Sequence, residues 1–284
     1  MPDPGDRGER RVAWVTGASR GIGRGVAAAL GGAGWTVYVT ARSTAAARTT
    51  GLPGTVEDCA AAVTAAGGLG VPVPCDHRDD TAVTAVAARI AAAHGRLDLL
   101  VNNAWGGYER LAAGAWDEWN APMWQQPVEL FDAMFASGVR AHYVALARSA
   151  PLLIAAPGSL AVTVSMAIPG SGQHAGAPGA PSAPGAPGGP AYAMAKAADD
   201  RLAQAAAAQL REHRVASVAV HPGWVRTETV LRYAEHLDLN GSQSPAGVGR
   251  AITALAADPQ LMTLTGRALA VAELASRYGI DVTA

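Results

Sequence analysis

Cysteine is almost missing from this 284-residue chain: Cys59 and Cys75 are its only two, and neither lies in a CxxC pair. That excludes a disulfide framework. The two read as small buried hydrophobes of a reducing cytosol, and no metal site is expected. Charge is thin as well, at 16% of residues with a formal net of -1. No basic block is present, so nucleic-acid binding by phosphate neutralisation has no electrostatic support. Nowhere do about 18 apolar residues run together, so no membrane span is expected. The opening MPDPGDRGER is polar and broken by proline, unlike a signal peptide. The expectation is a cytoplasmic protein whose partner is a small molecule.

What is present is a rhythm of short apolar runs and longer helical patterns, in a chain that is 50% hydrophobic. RVAWVT at 11–16 reads as a buried strand, followed by a glycine-containing turn, a helix through GVAAAL and a second strand at 35–40. A helix near 55–66, a strand at 70–75, a helix at 79–94 and a strand at 96–101 come next. Helix 127–149, strand 159–165, helix 191–213, strand 215–220 and a closing helix–strand–helix over 244–278 complete the pattern. Nearly continuous apolar strands alternating with helices imply an α/β fold, a single Rossmann-type doubly wound parallel sheet with helices on both faces. Residues 1–284 are expected to form one domain with a polar tail over 1–10 and two excursions. The tryptophan-rich insertion 105–126 holds Trp105, Trp116, Trp119, Trp124 and Tyr108. The tract 169–190 holds six prolines and seven glycines, a composition that builds no packed element and predicts a flexible loop.

The first turn carries the clearest chemistry. Strand 11–16 runs into Thr16-Gly17-Ala18-Ser19-Arg20-Gly21-Ile22-Gly23, which opens a helix. Gly17 permits the tight turn, Gly21 lets the backbone approach a pyrophosphate, and Gly23 allows close helix packing. The helix amino terminus adds free N–H groups and partial positive charge. The second strand ends Thr40-Ala41-Arg42-Ser43, with no carboxylate to accept from the ribose hydroxyls of NAD. Arg42 and Arg20 are instead suited to a 2′-phosphate, which favours NADP(H).

With Asp76 after the third strand, Asn102-Asn103-Ala104 after the fourth, Tyr192-Ala-Met-Ala-Lys196, and Pro222-Gly223 followed by Thr227, the chain resembles the short-chain dehydrogenase/reductase family along nearly its whole length. Its tail and the AHY run at 141–143 resemble one branch in particular. The resemblance implies that Tyr192 exchanges a proton with the substrate oxygen and that Lys196, one helical turn on, holds the nicotinamide ribose. It implies that Asp76 binds the adenine edge, that Asn102 supports the adenosine side, and that Pro222, Gly223 and Thr227 line the nicotinamide and its pyrophosphate. A nearby ammonium is also expected to draw the tyrosine pKa down towards neutrality. Members commonly pair through the helices corresponding to 127–149 and 191–213, so a homodimer or homotetramer is expected.

Two positions depart from the family pattern. The run Val162-Thr163-Val164-Ser165-Met166 sets Met166 where a substrate-orienting serine usually stands. Neighbouring strand residues face opposite sides, so Ser165 fills that role only through a local slip or bulge; Ser171 and His174 of the following loop are weaker candidates. Gly138 stands where the family often has an asparagine, for close helix packing or to free a backbone carbonyl for a relay water. The resulting expectation is an NADP(H)-dependent oxidoreductase acting on a moderately large carbonyl or alcohol. Two rivals stand beside it: non-redox chemistry on the same scaffold, and a catalytically silent NADPH-binding protein.

Overall fold

The computed structural model describes residues 10–49, 51–166 and 188–284. Ser171, His174, the polar tail through residue 9 and most of the 169–190 tract lie outside the described residues. Seven strands form one parallel sheet in the order β3-β2-β1-β4-β5-β6-β7. They are β1 (Val12–Thr16), β2 (Thr36–Ala41), β3 (Leu69–Pro74), β4 (Leu99–Asn102), β5 (Leu160–Val164), β6 (Ala216–His221) and β7 (Ala268–Ala270). Helices cross between them, as parallel pairing requires. All residues of β1, β2, β4, β5 and β6 are buried, which is why these runs read as continuously apolar. The outer strand β3 is the exception; its LGVPVP is only partly buried, and its two prolines suit an edge.

One face of the sheet is covered by α1 (Gly21–Gly32), α2 (Val56–Ala65), α10 (Pro245–Ala256) and α11 (Val271–Tyr278). Val26, Leu30, Val63, Ile252 and Leu274 pack there over Val15, Val37 and Val101. The other face is covered by α3 (Asp80–His94), α7 (Ala141–Ile154) and α8 (Gly189–Leu210), with Val83, Ile90, Leu153 and Leu210 against Trp14, Leu100 and Ala161. Each such aliphatic side chain contributes about 1.5–3 kcal/mol of burial, so the two layers fix the sheet firmly. Burial also pushes the Cys59 and Cys75 thiols up to about 12, keeping both protonated.

Strand order reverses between β1 and β4, and ligands of open α/β sheets bind outside the carboxyl ends of the strands at such a point. Above it lies a third, aromatic cluster of Trp119, Leu130, Met134, Tyr192 and Tyr233. Part of it comes from the insertion expected to be irregular, which folds as two short helices, α4 (Glu109–Ala112) and α5 (Trp116–Asn120). The helix expected over 127–149 is α6 (Val128–Met134), a π-helical stretch Phe135–Arg140, and then α7. A short helix α9 (Glu228–Arg232) follows β6 and closes the cleft from the opposite side.

Candidate active site

The floor of the cleft is the glycine turn. Gly17 has φ +64°, and a Cβ there would meet the Ala104 Cα at 2.7 Å, so neither conformation nor space admits a side chain. The turn is tied to the end of β4 by Asn103. Its amide donates to the Thr16 and Gly17 carbonyls at 3.0 and 3.1 Å, and its N–H donates to Thr16 Oγ1 at 2.8 Å. Asn103, rather than Asn102, therefore lines the cleft together with Ala104, Ser19, Arg20 and Ile22. Asn102 is wholly buried below it, its amide donating to the His142 carbonyl at 3.1 Å. The first helical N–H, at Gly21, donates to Glu228 Oε2 at 3.0 Å. A carboxylate resting on an otherwise uncapped helix start marks that point as an anion site, the chemistry a pyrophosphate needs.

At the end of β2, Arg20 donates to Ser43 Oγ at 2.9 Å and to the Gly54 carbonyl at 3.3 Å, while Arg42 forms an ion pair with Glu109. Glu109 escaped the sequence reading because it lies 67 residues away on a short helix with no periodic signal. Asp76 lines the same end, its carboxyl held below the usual range by hydrogen bonds from Arg78. Next to it His77 is buried, with Nε2 3.0 Å from Thr40 Oγ1.

The reacting end is built on α8. Tyr192 and Lys196 lie one turn apart on its buried face, 3% and 6% exposed. Lys196 is the sole lysine of the sequence. Its ammonium donates to the Val164 carbonyl at 3.3 Å and to Asp199 Oδ2 at 3.2 Å, and sits 3.7 Å from the centre of the Trp105 ring. Burial lowers its pKa below the ordinary lysine value, against the pull of Asp199. Behind it, His142 Nδ1 is 2.8 Å from Asp199 Oδ1 and Nε2 is 2.8 Å from the Ala104 carbonyl. A carbonyl only accepts, so Nε2 carries hydrogen and a proton is shared between Nδ1 and the carboxylate. Lysine, carboxylate and imidazole thus form a buried chain reaching the end of β4, which no sequence motif announced.

The expectation that the ammonium draws Tyr192 towards neutrality is not met. Burial pushes the Tyr192 hydroxyl well above its ordinary value, and the neighbouring Tyr108 adds to the rise. The reason is that the lysine charge is offset by Asp199 and faces an indole. The Tyr192 hydroxyl lies 2.9 Å from the Tyr108 hydroxyl and 3.3 Å from Met166 Sδ. Ser165 reaches the cleft wall, but its hydroxyl is spent on the Lys196 carbonyl at 3.0 Å. Gly138 has a packing reason: a Cβ there would lie 2.5 Å from the Trp105 ring. Its carbonyl accepts from the Ala141 N–H at the end of the π-helical stretch.

Pro222, Gly223 and Thr227 line the wall opposite, Thr227 also capping α9 through the Val230 N–H. Beyond Tyr192 opens a second, apolar chamber walled by Leu111, Trp116, Trp119, Trp224, Tyr233 and Leu237. Trp116 stacks on Tyr233 with ring centres 4.6 Å apart. Trp119 is buried and Trp124 is 78% exposed, so the tryptophans divide between wall, packing and surface. Among the described residues no cluster of His, Cys, Asp or Glu is able to hold a metal ion, and no helix is long and apolar enough to cross a membrane.

Residues 11–238 match the short chain dehydrogenase family. The chain belongs to that family. It is 35% identical over 284 residues to Dehydrogenase/reductase SDR family member 1 of Mus musculus, covering 95% of this chain and 82% of the mouse protein, which is the branch that its tail resembles. A short chain dehydrogenase of Mycobacterium thermoresistibile superposes with a TM-score of 0.76 at 25% identity, over 95% of this chain and 87% of the other. The fold is shared with 3-oxoacyl-[acyl-carrier protein] reductase from Brucella melitensis, in complex with NAD, at a TM-score of 0.73 and 23% identity over 93% of this chain and 96% of the other. This short-chain dehydrogenase is accordingly a member of an oxidoreductase family.

Proposed function

We propose that this dehydrogenase is an NADP(H)-dependent carbonyl reductase whose substrates are apolar ketones or aldehydes of moderate size. The observation that carries the reading is Tyr192. Its hydroxyl stands where the glycine-lined cleft meets the aromatic chamber, and burial keeps its proton on. A tyrosine that retains its proton is an acid, which is what reduction of a carbonyl requires.

Gly17, Ser19, Gly21, Ile22 and Gly23 would hold the dinucleotide, with the Gly21 N–H offered to its pyrophosphate. Arg20 and Arg42 would take the 2′-phosphate, and Asp76, Ala104, Pro222, Gly223 and Thr227 would complete the wall, with Asn103 in the place expected of Asn102. When bound, the reduced nicotinamide supplies a hydride, with its electron pair, to the carbonyl carbon. Tyr192 gives its hydroxyl proton to the carbonyl oxygen as the C=O π bond breaks, so an alcohol forms and a phenolate remains. Lys196 lies in the same wall and, with Asp199 and His142, holds the positive charge and shared proton behind that phenolate. Ser165 acts as a positioning residue, fixing α8 through the Lys196 carbonyl. The aromatic chamber excludes water and favours a broad apolar substrate. Exposed Tyr143 on α7 and Met194 on α8 support pairing into a homodimer or homotetramer through these helices, and the scarcity of cysteine supports a cytoplasmic setting.

The test is NADPH oxidation across a panel of ketones and aldehydes, with Tyr192→Phe alongside. The variant is expected to lose about 10²–10⁴-fold in turnover while NADPH affinity, followed by fluorescence, is kept. NADPH binding with no carbonyl reduced would overturn the reading. Product formed without change in the cofactor's redox state would move it to non-redox chemistry.

A further inference from the structure

Met166 and Ser165 leave the substrate oxygen without a second donor, and the structure supplies one from an unexpected place. We infer that Tyr108 is a catalytic residue, donating its hydroxyl hydrogen to the substrate carbonyl oxygen beside Tyr192; the inference rests on the reductase reading above.

The argument begins with reach. The Tyr108 hydroxyl is 2.9 Å from that of Tyr192, the two rings are stacked with centres 6.3 Å apart, and both residues line the cleft and the aromatic chamber. Two hydroxyls at that separation leave room for a third oxygen at hydrogen-bond distance from both. Among the described residues, Tyr108 is the hydroxyl hydrogen-bonded to Tyr192. Met166 Sδ is a weak acceptor with no hydrogen to give, and the Ser165 hydroxyl is committed to α8.

Chemistry points the same way. As hydride reaches the carbonyl carbon, negative charge develops on the oxygen, and a donor already aimed at it lowers the barrier. Tyr192 is consumed in giving its proton; Tyr108 keeps its own and holds the oxygen in place. Tyr108 is suited to stay protonated, because burial of its hydroxyl raises its pKa above the ordinary value. The residue is 37% exposed as a whole, while its hydroxyl is turned in on Tyr192. Its ring is fixed between Trp105 and Trp119, with centres 6.2 and 5.3 Å away. An empty cleft lets the two phenols bond to each other. A substrate oxygen entering beside them takes over both donated hydrogens, the one that Tyr108 gives to Tyr192 and the one that Tyr192 gives to Met166 Sδ.

The experiment compares wild type, Tyr108→Phe and Tyr108→Leu on the best carbonyl of the panel, with NADPH affinity and thermal midpoint measured on each. Phenylalanine keeps the ring and deletes only the hydroxyl. The expected result is a fall of about a hundredfold in kcat for Tyr108→Phe, with KM changed far less and NADPH affinity and midpoint kept. If Tyr108 merely walls the chamber, Tyr108→Phe retains wild-type kcat and only Tyr108→Leu is impaired, mainly in KM; that result overturns the inference. A wild type that binds NADPH but reduces nothing defeats the reductase reading itself. A turning-over wild type with an equally active Tyr108→Phe defeats Tyr108 alone.

Discussion

The two ends of the cleft are built on opposite principles. At the glycine-turn end the cleft is lined by the backbone of the turn and the start of α1, and what matters is the side chain that is missing at Gly17 and Gly23. At the reacting end almost every contact hangs from a large side chain: Lys196 over Trp105, Tyr108 on Tyr192, Trp116 on Tyr233. A main-chain site is specified by conformation, and many side chains around it are interchangeable. A side-chain site has no such tolerance, because each ring is held by the next. The comparison also explains the uneven departures from the family. The first end follows its pattern closely, while the second replaces serine with Met166 and compensates from an insertion.

The sharpest way to break the comparison is at Gly17. Gly17→Val forces a branched side chain onto a φ of +64° with the Ala104 backbone 2.7 Å from its Cβ. NADPH affinity is expected to fall by about 100-fold or more, equivalent to about 2.7 kcal/mol, in a fluorescence titration. Retained affinity would mean that the turn is not the cofactor floor.

Acid separates the two ends next. Burial, with help from the nearby His142, lowers His77 to about 4 from an ordinary 6.5. The folded protein therefore favours neutral His77 more than the unfolded chain does. That contribution is complete above pH 6.5 and is lost as pH falls towards 4, by about 3 kcal/mol over the interval. At the reacting end burial pushes Asp199 up, but His142 and Lys196 outweigh it and hold the carboxyl below its ordinary value, so Asp199 stays ionised through the same interval. Urea unfolding at pH 7 and pH 4.5 should show the loss in wild type and a much flatter response in His77→Gln, which keeps a donor for Thr40. Equal slopes for the two proteins would count against His77 as the acid-sensitive group.

A smaller effect is expected at Gly138, where alanine sets a Cβ 2.5 Å from the Trp105 ring. Gly138→Ala should cost about 1–3 kcal/mol in urea unfolding, and a double variant with Trp105→Phe should recover part of it. Additive losses would show that the two residues do not share that contact. This site also shows where sequence reading stops. The doubly wound order, the glycine turn and the Tyr192–Lys196 pair follow from local patterns, since apolar runs, φ requirements and one-turn spacing are properties of short segments. Gly138 stood out in the sequence, but its cause is a ring 33 positions earlier, and nothing local links the two. Tyr108, Glu109, Glu228 and the His142–Asp199 pair are equally silent, because each acts through a partner brought near only by the sheet. Asn102, the last residue of β4, is buried with its amide on the His142 carbonyl, while Asn103 beyond the strand ties down the glycine turn.

The last prediction concerns a place where the two ends touch. Arg42 lies at the glycine-turn end, yet its partner Glu109 comes from the insertion that walls the aromatic chamber. If Arg42 takes the 2′-phosphate, the phosphate must displace that carboxylate, and part of the binding energy is spent on breaking the pair. Glu109→Gln should then tighten NADPH with little effect on NADH, while Arg42→Ala should narrow the preference for NADPH by about tenfold, or 1.4 kcal/mol. Both groups are partly exposed, at 27% and 40% of their side chains, so each effect should shrink in high salt. Tightening of NADH as well as NADPH by Glu109→Gln would instead mean that the carboxylate obstructs the adenosine end as a whole. The nucleotide preference would then rest on Arg20, whose guanidinium is already turned to Ser43 and Gly54 at the same strand end.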